Sequence, residues 1–111
     1  MYNEQNSGSP FLQWNKGFES SNGEFIWIAE SDDSCDNTLL KSLVECLETN
    51  PKASVAFCRT LAFNEDGYKS SVGYQGNENI IYDGRNFIHE KMRSGTGILN
   101  ASCAIFRKSS L

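Results

Sequence analysis

Positive charge is scarce in this chain: ten Lys and Arg stand against fourteen Asp and Glu, a formal net charge of −4. A sequence-independent nucleic-acid binder displaces phosphate counterions with a basic face, so that class is excluded. Long apolar runs are missing too. The longest is Phe25 to Ala29, far short of the ~20 residues that span a bilayer. The opening Met-Tyr-Asn-Glu-Gln has neither a basic start nor an apolar stretch, so no secretory signal is legible and a cytoplasmic location is expected. Histidine occurs once, at His89, and the four cysteines include no Cys-x-x-Cys pair, which leaves no zinc-type ligand spacing. There is no Gly-x-Ser-x-Gly elbow for a hydrolase. Gly76, Gly95 and Gly97 match no phosphate-cradling pattern followed by Lys-Ser/Thr and read as loop residues.

What is present suffices for one small core. The chain has 111 residues, 39% of them hydrophobic, with seven Phe, four Tyr and two Trp, enough for a single domain and too little for two. Cys35, Cys46, Cys58 and Cys103 are expected as reduced thiols, mostly buried and packing as small hydrophobes. Ser9-Pro10 opens a helix reaching about Ser21, with Phe11, Trp14 and Phe18 on one face. Phe25 to Ala29 reads as a strand covered on both faces at the centre of a sheet. A second helix starts near Asn37 or Thr38, carries Leu39, Leu40, Leu43, Val44 and Leu47 as its stripe, and ends at Asn50-Pro51. Ser54 to Cys58 opens a strand continuing to Phe63. Asn64-Glu65-Asp66-Gly67 then predicts a hairpin back through Tyr68 to Val72. Residues 73 to 79 read as loop, a short helix follows Asp83-Gly84 with Phe87, Ile88 and Met92 on one side, and Cys103 to Phe106 makes a last strand. Helices alternating with strands imply an α/β fold with a mixed sheet flanked by helices.

The chemistry concentrates after the first strand. Glu30-Ser31-Asp32-Asp33-Ser34-Cys35-Asp36 holds four carboxylates in seven residues, and no Lys or Arg occurs between Lys16 and Lys41. In α/β sheets, ligands gather beyond the carboxyl ends of strands. Crowded carboxylates repel one another, and a divalent cation relieves the repulsion. Mg²⁺ or Mn²⁺ accepts as few as one or two protein carboxylates when water and substrate phosphate complete its shell. The plain alternative is a solvated loop whose acids favour the next helix start. Asp36 fits that role, whereas Asp32 and Asp33 lie too far upstream. A calcium loop fails because Asn37 and Leu43 occupy the positions that need Gly and Glu. Trp14 and Trp27 read as core residues, Lys16 as a solvated helix residue and His89 as a surface histidine.

These residues also carry a resemblance. Asn15-x-Gly17-x5-Gly23-Glu24-Phe25-Ile26-x3-Glu30-Ser31-Asp32-Asp33 resembles the central motif of family 2 glycosyltransferases of the GT-A fold. Trp27-Ile28-Ala29-Glu30-Ser31-Asp32-Asp33 is similar to a form common among bacterial members. Asn50-Pro51 and Phe106-Arg107-Lys108 follow in the family's order. The resemblance implies a partial GT-A fold and transfer of a sugar from a nucleotide diphosphate sugar to a carbohydrate or lipid-linked acceptor hydroxyl, assisted by Mn²⁺ or Mg²⁺ and inverting. It implies Asp33 as the main metal ligand and Asp32 as a second ligand or ribose contact. Glu30 and Asn15 join the nucleotide-sugar side, while Asn100 and Ser102 fall on the acceptor side. Glu30 stands where Asp is usual, so its direct coordination of metal stays open.

On this resemblance residues 1–63 end the nucleotide-sugar-binding half and residues 64–111 begin the acceptor half. The family's opening βαβ unit and its catalytic base are expected outside this chain. The 111 residues are therefore expected to be a fragment with no catalytic residue of its own, inactive alone and self-associating through exposed edges. A non-catalytic binding domain on the same scaffold is the other reading, since fold alone does not fix function.

Overall fold

A proline at the first helical position has the right φ and lacks an N–H that the first turn leaves unused anyway. In the computed structural model, which describes residues 3–72, 78–95 and 97–111, Pro10 opens α1 (Pro10–Ser20) in this way, with Ser9 at the N-cap position but making no side-chain cap bond. The Phe11–Trp14–Phe18 face is only partly covered. No α1 residue is fully buried, and Phe11 is 66% exposed with its ring edge-on to Trp14 at 5.4 Å.

The remaining α-helices and strands are β1 (Phe25–Trp27), α2 (Leu39–Thr49), β2 (Val55–Phe57), β3 (Thr60–Phe63), β4 (Lys69–Val72), α3 (Gly84–Phe87) and β5 (Ala104–Arg107), with short 3-10 turns at Ala101–Cys103 and Lys108–Ser110. They form an α/β arrangement whose main sheet has the order β1-β5-β2. Both hydrogen-bonded ladders are antiparallel. The described sheet is therefore antiparallel and not mixed as expected: β1 and β2 run the same way, but β5 separates them and no parallel pair forms.

Strand order corrects one expectation. β1 lies at an edge, and the central strand is β5, whose partners are Phe25↔Arg107 and Trp27↔Ile105 on one side and Ala56↔Ile105 on the other. Alternation then sorts the side chains. Trp27, Ile105 and Ala56 form a row facing α2, where Leu43, Leu47 and Ile105 make the buried core with Phe25, Leu39, Val44 and Ala53 around it. Leu47 is fully buried, a contribution of about 2 kcal/mol from its side chain. Ile26, on the other face, is buried on the side of α1.

Arg107 joins these layers. Its Nε donates to the Ala53 carbonyl at 3.0 Å, one terminal nitrogen to the Leu47 carbonyl at 2.7 Å and the other to Glu24 Oε1 at 3.2 Å. Its guanidinium carbon lies 5.2 Å from the centre of the Phe25 ring, its cross-strand partner.

The strand expected from Ser54 to Phe63 is two strands. The Cys58 N–H still donates to the Cys103 carbonyl at 3.0 Å, after which the chain leaves the sheet and Thr60 starts a separate hairpin with β4. Gly67, with φ +77°, makes the turn, and Asn64 Oδ1 accepts from the Tyr68 N–H at 2.8 Å. The short helix after Asp83 is capped by that carboxylate, which accepts from the N–H groups of Arg85 and Asn86. It widens into a π-helical turn over Ile88–Met92. Phe87 packs on Phe57 and Tyr82, while Ile88 and Met92 are exposed. Gly97 has its own reason: a Cβ there would come within 2.5 Å of the Phe87 ring. Of the loop expected at residues 73–79, residues 73–77, with Gly76, lie outside the described residues, and residues 78 and 79 belong to no helix or strand.

The cysteines also differ from expectation. All four are free, but only Cys103 is buried. Cys46 lies off the Leu43–Leu47 stripe, Cys35 sits in the acidic segment, and Cys58 follows the last residue of β2. Desolvation around the Cys58 thiol, helped by the nearby Cys103 thiol, pushes its pKa up.

Candidate functional site

β1 ends at Trp27, and past Ile28 and Ala29 the chain reaches four polar residues, Glu30 to Asp33, so it surfaces beyond the strand's carboxyl end. It does so as a turn: the Asp33 N–H donates to the Glu30 carbonyl at 3.3 Å. Glu30, Ser31, Asp32 and Asp33 are all exposed.

Two ties fix this turn to the segment before β5. Ser102, itself buried, accepts the Glu30 N–H on its hydroxyl at 2.9 Å, and its carbonyl accepts the Trp27 indole N–H at 2.9 Å. Asn100 Nδ2 donates to Asp33 Oδ2 at 2.8 Å, and Asn100 Oδ1 accepts the Ser102 N–H at 2.6 Å. The Asn100 carbonyl in turn receives the Cys103 N–H and thiol. Trp27 is thus a core residue with its polar edge satisfied.

Asp36 behaves as a helix-start residue, though by an indirect route. Thr38 occupies the N-cap position without a side-chain cap bond. Asp36 Oδ1 accepts both the Thr38 N–H at 2.9 Å and the Thr38 hydroxyl at 2.6 Å. The Thr38 hydroxyl foremost, then its N–H, hold the Asp36 carboxyl below its ordinary pKa.

Of the residues singled out from sequence, Glu30, Asp33, Asn100 and Ser102 meet in one network, with Asp32 inside the same turn. Asn15 is exposed on α1, and no hydrogen bond among the described residues links it to the turn. Lys16 donates to Asn3 Oδ1 at 2.6 Å. His89 is exposed in the π-helical turn. A groove of about 370 Å³ runs between α1 and β1, lined by Trp14, Phe18, Phe25, Trp27 and Ile28 among others, and the acidic residues take no part in it. What sequence reading missed is the contact between Asn100 and Asp33; no local pattern signals a pair 67 positions apart.

Among the described residues, no three His, Cys, Asp or Glu side chains are gathered to hold a metal by themselves. The donor set nevertheless fits a hard cation that keeps water and phosphate ligands. Asp32 and Asp33 are adjacent, exposed and without a cationic partner among the described residues, and the Asn100 amide occupies one oxygen of Asp33 while its other oxygen receives no such bond.

No helix among the described residues is long and apolar enough to cross a membrane. No match was found among curated proteins, and none among solved structures. A family model does match, that of glycosyl transferase family 2, over residues 1–111. An acidic turn beyond the carboxyl end of an apolar strand, in an α/β chain matched along its whole length, agrees with that assignment: the chain belongs to glycosyl transferase family 2, a family whose class of activity is glycosyl transfer.

Proposed function

We propose that the Glu30–Asp33 turn is the diphosphate end of a metal-assisted, inverting sugar-transfer site. The donor is a nucleotide diphosphate sugar, and the acceptor is a hydroxyl on a carbohydrate or lipid-linked glycan. One observation carries this reading: two neighbouring carboxylates, Asp32 and Asp33, stand exposed at the end of β1 with no Lys or Arg paired to them among the described residues.

Each residue has a part in this reading. Asp33 is the principal ligand for Mn²⁺ or Mg²⁺, and Asp32 assists it or holds the ribose. Glu30 and Asn15 lie on the nucleotide-sugar side, with Glu30 held through its N–H by Ser102. When bound, the divalent ion supplies positive charge at the departing diphosphate. Residues 1–63 belong to the donor half and residues 64–111 to the acceptor half, and β5 is the strand through which the second half enters the sheet of the first. No residue here is assigned as catalytic base, so the 111 residues alone are expected to turn over no donor. Exposed Leu61, Phe63 and Tyr68 on the hairpin extend the reading to self-association at high concentration.

The test is sugar transfer by residues 1–111 placed within a complete family 2 catalytic domain, assayed against a panel of nucleotide diphosphate sugars. Asp33→Ala should lower kcat/KM at least a hundredfold, a loss of about 2.7 kcal/mol or more in transition-state stabilisation. Chelation should abolish the wild-type activity, with recovery on adding Mn²⁺. Full activity of Asp33→Ala in chelator would refute the reading.

A further inference from the structure

The Asn100 side chain is gripped at both ends. Its Oδ1 can only accept, and it receives the Ser102 N–H at 2.6 Å; the opposite end, Nδ2, is left facing Asp33 Oδ2 at 2.8 Å. The N–H therefore dictates which way round the amide sits. Below it, the Asn100 carbonyl is pinned by the Cys103 N–H at 3.3 Å and the Cys103 thiol at 3.0 Å, with Cys103 buried. Two residues after Asn100, buried Ser102 holds the Glu30 N–H and the Trp27 indole. The Asn100–Cys103 turn is thus anchored in the core and touches both ends of the acidic turn.

We infer that Asn100 is a positioning residue for Asp33: by donating to one carboxylate oxygen it fixes the rotation of the side chain and presents the other oxygen to the metal. This rests on the donor-site reading above, and it moves Asn100 from the acceptor side to the metal side. Groups that hydrogen-bond a metal-ligating carboxylate orient it, and removing such a partner lowers metal affinity by about 10–100-fold.

The variant that separates orientation from folding is Asn100→Ser. A serine hydroxyl at that position still accepts the Ser102 N–H, as serine does at a helix cap, but it is too short to reach Asp33. The measurement is Mn²⁺ affinity of the 111-residue chain, read from the free-Mn²⁺ electron paramagnetic resonance signal, beside the thermal midpoint. Asn100→Ser should weaken Mn²⁺ binding about tenfold while leaving the midpoint where it is in the wild type. In an Asp33→Asn background the same change should have no further effect. Unchanged affinity in Asn100→Ser, with binding lost in Asp33→Asn, would overturn the positioning role and leave the donor site standing. Unchanged affinity in Asp33→Asn would remove the donor site and this inference with it. If Asn100→Ser shows no folded transition, the wild-type fold answers instead: the Asn100 side-chain NH₂ resonances should shift in Asp33→Asn and broaden with Mn²⁺. Resonances indifferent to both would overturn the proposal.

Discussion

The Arg107 guanidinium meets the Leu47 and Ala53 carbonyls, the Glu24 carboxylate and the Phe25 ring. The two carbonyls end α2 and lead into β2, where backbone acceptors would otherwise lose their partners. A lysine keeps the charge but has no planar fork, so it cannot serve both carbonyls together. Arg107→Lys should cost about 1–3 kcal/mol of unfolding free energy in a urea titration, the penalty of a buried acceptor left without a donor. Glu24 is largely exposed, and exposed ion pairs contribute little. Glu24→Gln should therefore be close to neutral in the same titration. A neutral Arg107→Lys would show that these carbonyls find water instead. Sequence reading placed Arg107 only as part of a family pattern; its three acceptors come from segments distant in the chain, which local pattern cannot display.

At the scale of elements, α1 and α2 were legible because their boundaries are written in local chemistry. Pro10 starts one, and Asn50, whose N–H and side-chain amide both donate to the Cys46 carbonyl, stops the other before Pro51. The hairpin was legible from Asn64 and Gly67 for the same reason. The start of α2 shows the limit of such reading: Asp36 serves the first turn through Thr38, from three positions ahead of the first helical residue. The folded-state pKa of Asp36 is lowered, so its contribution is present above the ordinary aspartate range and is lost as pH falls through the lowered folded value. Asp36→Ala should speed amide hydrogen exchange at Thr38 and Leu39 at neutral pH, and the difference from wild type should shrink on acidification. Equal exchange in the two proteins at neutral pH would contradict this. The position of β1 was not legible, because an apolar run of this length looks alike at an edge and at a centre when its neighbours are unknown.

Across the whole molecule, the last strand closes the structure. β5 inserts between β1 and β2, and the turn just before it carries Asn100 and Ser102 to the acidic segment. The acidic residues and their place at the end of a strand could be read from sequence alone, whereas their company could not, because it depends on strand order. The main sheet is small, and the hairpin of β3 and β4 forms a separate two-stranded unit with apolar side chains exposed, a unit of marginal stability by itself. Amide-resolved NMR of the 111-residue chain with substoichiometric Mn²⁺ and a nucleoside diphosphate tests most directly whether the acidic segment is the metal and diphosphate site. The predicted result is line broadening centred on Asp32 and Asp33 and reaching Asn100, lost in Asp33→Asn. Broadening centred elsewhere, or spread evenly over the surface acids and unchanged in Asp33→Asn, would contradict it.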